Sequence, residues 1–424
     1  MSNASNHTGG GIGMKYVVLG SSAAGINGIR GIRRNDPDGE IVLISKDEYV
    51  YSRCILHHYM EGIRDLKRLC FVEEDFMEKY KVHWIGGKAA TGLDCKKQEV
   101  ILEDGETVSY DRLLIATGSH SFFPPVKNLR EADGVIGFRN FDDIVYIMEE
   151  AKKAEHIVVM GGGLVGIDCI TGLLEMKKDL SIVEMQDHML AIQLDHRAAK
   201  TYEDAYKAHG VKQYFSVGIN EVKTDENNRV SSVVLGNGEE IPCELLIVTA
   251  GVRSNMEFLQ GSDVETDLRG VLIDEAGRTN VEGIYAAGDV TGRNPIWPVA
   301  VKEGMIAGSN MSGGNQKMTD FFASKSTMNF LGIPTMSLGV NTPEDDTYQV
   351  EIEEDDKGNY KKIIHKDGRI YGAILQGELA YAGVLTQLIR RKIDISKVKK
   401  SIFEIDYSDF FHTTENCEFM YDED

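Results

Sequence analysis

The sequence has few prolines and tryptophans and no long apolar run. Only 8 prolines and 2 tryptophans occur among the 424 residues, and this scarcity of proline argues against a collagen-like or proline-rich disordered chain. No apolar stretch approaches the roughly 18 residues that a transmembrane helix requires. The N-terminus also lacks the basic and then apolar pattern of a secretory signal peptide. The sequence therefore predicts no membrane span.

Cysteine is sparse and scattered. The six cysteines form no C-x-x-C pair, which is the spacing typical of zinc sites and dithiol redox motifs. We therefore expect no metal site, and the pattern favours a reducing compartment, which we take to be the cytoplasm.

Positive charge is also in short supply. The 46 Lys and Arg residues face 67 Asp and Glu residues, which gives a formal net charge of −21. A nucleic-acid partner is not expected, because phosphate binding needs clustered cations. The same field repels an acidic protein partner unless the contact face is locally basic.

Length and glycine content define the fold class. A chain of 424 residues with 44 glycines predicts two or three α/β domains with many tight turns. Residues 1–13 are polar and glycine-rich, and we predict a disordered leader or tag there. Residues 344–356 are dense in Asp and Glu, which predicts a solvated loop and hairpin edge. The alternative for this acidic run is a docking patch for a basic partner.

The strongest motif is an apolar strand, a glycine turn, a helix and a second strand that ends at an acid. The turn carries Gly161, Gly163 and Gly166 at G-x-G-x-x-G spacing, with Leu164 and Val165 between the last two. These glycines allow a tight turn, close approach of backbone to a pyrophosphate, and packing of helix on strand. Glu184 follows the second strand, where a carboxylate accepts hydrogen bonds from ribose hydroxyls. The stretch predicts a dinucleotide site.

A second turn of this kind lies near the N-terminus. The strand 15–19 leads into Gly20, Ser22 and Gly25, with serine in place of the middle glycine. The next strand, 40–45, ends in Lys46 and Asp47, so the ribose-binding acid is shifted or missing. Asp47 is the weaker candidate for that contact.

Two later strands extend the pattern. Residues 112–118, RLLIATG, are echoed by residues 245–251, LLIVTAG, which predicts two domains of similar design, one nested in the other. Residues 279–290, TNVEGIYAAGDV, place Asp289 just past the C-terminal end of a strand. Ligands of open α/β sheets bind at that end.

With both turns and both of these segments, the chain resembles the pyridine nucleotide-disulfide oxidoreductase superfamily over residues 14–320. The resemblance implies an α/β fold with two nested Rossmann-like three-layer nucleotide-binding domains and a C-terminal α+β interface domain. The FAD-binding domain would be discontinuous, at 14–123 and 251–319, with the NAD-binding domain at 124–250. Residues 320–424 would form the interface domain of a homodimer.

The resemblance also implies the cofactor contacts. In the first turn the FAD pyrophosphate would meet Gly20, Ser22, Ala23, Ala24 and Gly25. Further contacts with the same cofactor would come from Thr117, Gly118, Asp289 and the backbone of Ala300, with Asp47 and Arg53 as additional candidates.

The glycine turn at 161–166 then becomes the nicotinamide-nucleotide site. Glu184 favours NADH, because the 2′-phosphate of NADPH would face a like charge. Asp168 replaces a family glutamate near the nicotinamide amide. The alternative for Asp168 is an acid that simply complements the helix dipole.

The electron acceptor depends on Cys54, the one candidate catalytic residue. We expect it to open a helix, where the dipole, Arg53 and two neighbouring histidines, His57 and His58, lower its thiol pKa. Residues 54–62 resemble the redox-cysteine motif of coenzyme A-disulfide reductases and NADH oxidases, which implies a small-molecule disulfide or dioxygen as acceptor.

Three alternatives to this redox role remain open. The preceding residues, 51–53, Tyr-Ser-Arg, instead resemble NADH:rubredoxin reductases, which implies a small redox protein as acceptor. The chain could also be a non-catalytic flavin subunit of a larger complex. At the residue level, Cys54 could be inert packing.

Overall fold

The computed structural model describes residues 13–319 and 325–421. Nearly all of the leader predicted at 1–13 therefore lies outside the described residues. The described chain divides into two compact units. The first unit contains residues 13–56, 64–120 and 252–319, and the second contains residues 57–63, 121–251 and 325–421.

The α-helices of the described ranges vary from single turns to four turns. They are α1 (Ala23–Asn35), α2 (His57–Met60), α3 (Leu66–Leu69), α4 (Phe76–Lys79), α5 (Phe141–Lys153), α6 (Leu164–Leu173), α7 (His196–Ala208), α8 (Trp297–Met311) and α9 (Ala382–Arg391). Short 3₁₀ turns occur at Arg53–Ile55, Leu174–Met176, Glu257–Leu259, Asp289–Thr291 and Tyr407–Phe410.

The strands are short and follow one another closely in both units. Up to the end of the second parallel sheet they are β1 (Lys15–Leu19), β2 (Glu40–Ser45), β3 (Val82–Gly86), β4 (Ala90–Asp94), β5 (Glu99–Leu102), β6 (Thr107–Ser109), β7 (Arg112–Ile115), β8 (Ser119–Ser121), β9 (Val135–Gly137), β10 (His156–Met160), β11 (Asp179–Val183), β12 (Lys212–Tyr214), β13 (Ile219–Thr224), β14 (Val230–Leu235), β15 (Glu240–Pro242) and β16 (Leu245–Val248). The later strands are β17 (Val252–Ser254), β18 (Ile284–Ala286), β19 (Lys325–Phe330), β20 (Ile333–Gly339), β21 (Gln349–Glu354), β22 (Tyr360–Lys366), β23 (Arg369–Gln376), β24 (Phe411–Thr413) and β25 (Phe419–Tyr421).

The first unit is built on a parallel sheet of order β18-β7-β1-β2-β3. Its central strand, β1, is almost entirely buried, because both faces of a parallel sheet are covered. A separate antiparallel sheet, β4-β5-β6, lies in the same unit. The parallel order places the carboxyl ends of β1, β7 and β18 at one edge, where ligands of such sheets bind.

Helices α1 and α8 of the first unit pack backbone against backbone. A Cβ added to Gly308 would lie 2.0 Å from the carbonyl oxygen of Gly28, and one added to Gly304 would lie 2.1 Å from that of Ala24. Only glycine allows helices to approach so closely. Ile26, Ile29 and other apolar residues of α1 complete the buried core.

The second unit repeats the design with a parallel sheet of order β12-β11-β10-β16-β9. Strand β10 is buried along almost its whole length and pairs with β11 and β16. The small antiparallel sheet β13-β14-β15 packs beside it around Val222 and Val233. The predicted echo between residues 112–118 and 245–251 thus corresponds to equivalent strands, β7 and β16, each beside the strand that leads into a glycine turn.

The second unit also contains a five-stranded antiparallel sheet of order β19-β20-β23-β22-β21. Helix α7 is joined to this sheet by buried polar contacts. The Tyr202 hydroxyl lies 2.8 Å from Thr335 Oγ1, and Lys362 Nζ donates to Asp195 Oδ2 at 2.8 Å. The predicted fold class, α/β with parallel sheets and a C-terminal antiparallel sheet, is confirmed. The exact three-domain boundaries stay a prediction.

The acidic run at 344–356 includes β21, which is an exposed edge strand, as expected for a solvated hairpin edge. Several of its acids have cationic partners. Glu353 pairs with Lys361 at 2.9 Å, and Glu354 pairs with Arg197. These pairs reduce the local negative charge of the edge.

Candidate functional site

The first glycine turn lies between β1 and α1 and requires glycine at both ends. Gly20 has φ +107°, and a Cβ there would lie 2.2 Å from the Ala116 carbonyl oxygen. A Cβ on Gly25 would lie 1.8 Å from the Gly20 carbonyl oxygen, so helix and turn touch. Ser22 stands at the N-cap of α1, followed by buried Ala23 and Ala24. The turn therefore presents the N-terminus of a long helix, as an anion site requires.

Asp47 is already engaged within its own loop. Its two carboxylate oxygens accept hydrogen bonds from the Tyr51 hydroxyl at 3.0 Å and from Arg53 Nη2 at 2.5 Å. The Arg53 side chain also lies over the Tyr51 ring. Ser21 and Ser45 hydroxyls hydrogen-bond to each other at 2.8 Å, between the turn and the end of β2. The structure thus brings Asp47 and Arg53 together as an ion pair.

Thr117, Gly118 and Asp289 converge at the carboxyl ends of β7 and β18. Thr117 Oγ1 donates to the Asn255 carbonyl at 2.7 Å, and Asn255 Nδ2 donates back to the Thr117 carbonyl at 2.8 Å. Ser119 Oγ donates to Asp289 Oδ2 at 3.0 Å. Gly118 has φ +70°, and no atom lies within 4 Å of a Cβ placed there. Asn255 and Ser119 belong to this group, and no motif in the sequence singled them out.

Ala300 lies in the first turn of α8, and one turn later the helix carries a buried acid. Glu303 Oε2 accepts a hydrogen bond from the backbone N–H of Gly288 at 2.7 Å. Burial raises the pKa of Glu303 to about 6, and Asp289 nearby adds to the increase. No motif in the sequence signals Glu303, because its burial depends on the close packing of α8 against α1.

The second glycine turn, between β10 and α6, has the same construction. Gly161 has φ +119°, and a Cβ there would lie 2.7 Å from the Thr249 carbonyl oxygen. A Cβ on Gly166 would lie 1.9 Å from the Gly161 carbonyl oxygen. No atom of the described residues beyond its chain neighbours lies within 4 Å of a Cβ placed on Gly163, which leaves open the position where a pyrophosphate approaches the backbone. Leu164 and the partly exposed Val165 begin helix α6.

Glu184 follows β11, and its carboxylate holds the turn in place. One oxygen accepts from the Gly162 N–H at 2.5 Å and the other from the Gln186 N–H at 2.7 Å. A carboxylate oxygen accepts more than one hydrogen bond, so both oxygens keep capacity for ribose hydroxyls. The sequence did not reveal that Glu184 also orders the glycine turn.

Asp168 lies on α6 beside His57 of α2. Its Oδ1 is 3.2 Å from His57 Nδ1. Burial raises the pKa of Asp168 to about 8, with a further increase from Glu61. Burial also lowers the pKa of His57 to about 4, and His58 lowers it further. Asp168 is therefore largely protonated at neutral pH, and its predicted place near the nicotinamide amide stays a prediction.

Cys54 lies on the 3₁₀ turn Arg53–Ile55 and is exposed. The predicted helix opening at Cys54 is wrong, because α2 begins only at His57. A three-residue turn has a weaker dipole than a helix. The rings of His57 and His58 lie edge to face with centroids 4.3 Å apart, although adjacent residues do not share a face of a regular helix.

Burial raises the pKa of Cys243 to about 12, which makes that thiol inert.

Comparison with known proteins identifies the group to which these features belong. Residues 14–304 match the family described as pyridine nucleotide-disulphide oxidoreductase, and residues 325–393 match the rubredoxin NAD+ reductase C-terminal domain. The chain belongs to the pyridine nucleotide-disulphide oxidoreductase family. The resemblance recognised in the sequence is confirmed, and the chain is an NADH-dependent flavoprotein oxidoreductase.

Relatives of this oxidoreductase are named for different activities. The chain is 29% identical over 412 residues to the NADH-dependent phenylglyoxylate dehydrogenase subunit epsilon of Aromatoleum evansii, covering 94% of this chain and 95% of the relative. It is 25% identical over 397 residues to the NADH-rubredoxin oxidoreductase of Clostridium acetobutylicum, covering 92% and 97%. A solved NAD-dependent persulfide reductase from A. fulgidus superposes with a TM-score of 0.79 at 25% identity, covering 89% and 77%.

The residues of both turns fit the nucleotides that this family uses. Each turn ends a buried parallel strand, begins a helix of ten residues or more, and carries a glycine at its first and last positions. A phosphate at either helix N-terminus would meet backbone N–H groups.

None of the helices in the described ranges combines the length and the hydropathy that a membrane-spanning helix needs.

Proposed function

We propose that the first unit binds FAD and the second unit binds NADH. The single observation that carries the proposal is the pair of strand-turn-helix sites. Each contains glycines at which a Cβ would collide with backbone atoms and disrupt the turn. Gly20, Ser22, Ala23, Ala24 and Gly25 would hold the FAD pyrophosphate. Thr117, Gly118, Asp289 and Ala300 would complete that site. Bound FAD would accept a hydride from NADH and pass the two electrons to an acceptor.

NADH is the proposed donor because of Glu184. Both of its oxygens are fixed by backbone N–H groups at the end of β11. A fixed carboxylate accepts hydrogen bonds from two ribose hydroxyls but repels a 2′-phosphate. Asp168, largely protonated, would donate a hydrogen bond to the carbonyl oxygen of the nicotinamide amide.

The acceptor favoured by the comparisons is a redox protein, free or as a partner subunit. The two supporting findings are the likeness over nearly the full length to a subunit of an NADH-dependent dehydrogenase and the C-terminal match to rubredoxin reductases. In both cases the chain would exchange electrons with a protein. Its own net charge of −21 then favours a partner with a positive or weakly charged contact face, unless the contact face of this chain is locally basic.

A second candidate acceptor, a small disulfide or dioxygen reduced through Cys54, is favoured by one observation. Cys54 is exposed, as a redox thiol must be and an inert core thiol is not. In that case the Cys54 thiolate would attack the disulfide, which releases one thiol and leaves a mixed disulfide, and two electrons from NADH would then break that mixed disulfide. With dioxygen, two-electron reduction would give hydrogen peroxide, which would oxidise the thiolate to a sulfenic acid and release hydroxide, and a second NADH would supply the electrons that restore the thiol.

Stopped-flow reduction by NADH, followed by mixing with acceptors, separates these candidates. We expect Cys54→Ser to keep flavin reduction and transfer to rubredoxin or an iron-sulfur partner, with coenzyme A disulfide turnover absent in both forms. Cys417→Ser, which alters another exposed thiol, is the matched control. A selective loss of disulfide or dioxygen turnover in Cys54→Ser alone would instead establish the thiol route.

Homodimerisation through residues 320–424 and a cytoplasmic location complete the proposal. The former rests on the match of residues 325–393 to a reductase C-terminal domain, and the latter on the scattered cysteines. Light scattering of the purified protein would test the dimer, and a monomeric mass at micromolar concentration would contradict it.

A further inference from the structure

The second unit contains a group of metal-ligating side chains that the nucleotide sites do not explain. His57, His58 and Glu61 each place one ligand atom within 4.8 Å of the others. All three are partly buried, unlike the exposed carboxylates that commonly cluster on protein surfaces. The group lies on one turn of chain, which brings the ligands together without help from distant segments.

The local backbone fixes this arrangement. The N–H of Glu61 bonds to the carbonyl of His57 at 2.9 Å, so the helical turn of α2 continues to Glu61 and places these two residues on one face. Gly172 of α6 lets α2 approach, because a Cβ there would lie 3.0 Å from Met60 Cβ. The close approach half-buries the His57 ring and holds it beside Asp168.

A histidine nitrogen of this group lacks a hydrogen-bond partner, and its glutamate lacks a partner of opposite charge among the described residues. His57 Nδ1 is buried and forms no hydrogen bond with the described residues. Asp168 Oδ1 lies 3.2 Å from this nitrogen but forms no hydrogen bond with it. In the part of the chain that the structure describes, no lysine or arginine pairs with Glu61 or Asp168. A cation at this group would offset the charge of Glu61, for which the described residues supply no partner of opposite charge.

We propose that His57, His58 and Glu61 bind a divalent transition-metal ion of the Zn²⁺ class. Two imidazoles and one carboxylate form a donor set that binds Zn²⁺ and other late first-row transition-metal ions in preference to Mg²⁺ or Ca²⁺. Three protein ligands leave one coordination position for water. The Asp168 carboxyl group lies 3.2 Å from His57 Nδ1, and carboxyl groups next to metal-ligating histidines orient the ring.

The other group of this kind in the described ranges is a poorer site. It consists of Asp187, His188 and His196. Both nitrogens of His188 are already engaged, Nδ1 with Asp187 Oδ1 at 2.6 Å and Nε2 with the Leu194 carbonyl at 3.1 Å. His196 and Asp187 are exposed. A metal there would have to break existing hydrogen bonds.

Calorimetric titration of Zn²⁺ into the flavin-loaded protein, purified without a polyhistidine tag and treated with chelator, tests the site. We expect one ion per chain, with affinity reduced at least about tenfold in His57→Ala, His58→Ala and Glu61→Gln. His83→Ala, which removes an exposed histidine of β3, should bind as the unchanged protein does. Zn²⁺ should also raise the melting temperature of the unchanged protein.

X-ray absorption at the zinc edge gives a readout that does not depend on the variants folding. We expect only nitrogen and oxygen ligands, near 2.0 Å, and no sulfur at about 2.3 Å. Sulfur ligands would assign the ion to a cysteine and overturn the proposal. So would the absence of saturable binding, equal affinity in all variants, or loss of binding in His196→Ala alone.

Discussion

Glu303 is a buried carboxyl group whose protonation state couples to stability. Its side chain is 7% exposed, and burial raises its pKa from 4.5 to about 6. Because the folded pKa is the higher one, the folded state holds the proton more tightly. Stability is therefore greatest at low pH for this group and falls as pH rises through 4.5 toward 6. A shift of this size corresponds to about 2 kcal/mol at neutral pH.

We predict that Glu303→Gln stabilises the flavin-loaded protein at about pH 8 by up to about 2 kcal/mol. The amide oxygen still accepts from the Gly288 N–H, and no charge is buried. Urea unfolding at about pH 5 and about pH 8 measures the difference between variant and unchanged protein, which should shrink at the lower pH. A difference that is the same at both pH values would refute the ionisation of Glu303 as its cause.

Glu184 orders the glycine turn through two backbone N–H groups, and in our proposal its charge also selects NADH over NADPH. We predict that Glu184→Gln lowers the preference for NADH over NADPH, measured as the ratio of kcat/KM values, by about tenfold, or ~1.4 kcal/mol. The neutral amide no longer repels a 2′-phosphate. Glu239→Gln, an exposed acid in the same unit, is the control and should leave the ratio unchanged. An unchanged ratio in Glu184→Gln would mean that the 2′-position lies away from this residue.

Helix packing in the first unit depends on glycines that sequence reasoning passed over. Gly308 packs against Gly28, and Gly304 packs against Ala24. A Cβ added to either glycine of α8 would lie about 2 Å from a backbone carbonyl oxygen of α1. Such atoms do not move aside as a flexible side chain does. The separation of α1 and α8 is therefore fixed by these positions, and with it the placement of Ala300 and Glu303.

We predict that Gly308→Ala destabilises the protein by about 1–3 kcal/mol, as overpacking of a core does. This exceeds the gain of roughly 1 kcal/mol from helix propensity. Gly383→Ala in α9 is the matched control, since nothing lies within 4 Å of its Cβ position, and it should be neutral or stabilising. Thermal unfolding monitored by circular dichroism compares the two. Equal effects of both changes would show that the α1–α8 contact does not limit stability.

The elements that the sequence predicted best are those with a local signal. Strands β1 and β10 and their glycine turns follow from apolar runs and glycine spacing alone, and the structure has them where expected. The 3₁₀ turn at Cys54 was missed because capping signals there are weak. The contact of His57 with Asp168 joins residues far apart in sequence, so no local pattern reports it. Asn255 and Glu303 were missed for the same reason.

At the scale of the whole molecule, the net charge of −21 bears on how an acceptor protein arrives. The long-range field of an acidic protein speeds encounters with a basic carrier and slows those with an acidic one. Salt screens this field over about 10 Å at 0.1 M ionic strength. Ion pairs such as Glu353 with Lys361 weaken the acidic edge locally but leave the total charge unchanged.

We predict that NADH-driven reduction of a basic redox protein slows severalfold as ionic strength rises from about 0.05 to about 0.3 M, whereas reduction of an acidic one speeds up. Dioxygen is the control acceptor, since an uncharged molecule is not steered. Opposite slopes for the two carriers would show that net charge governs encounter. If the acidic carrier also slows with salt, a locally basic docking face overrides the total charge, and mutation of exposed lysines and arginines one at a time would then locate that face.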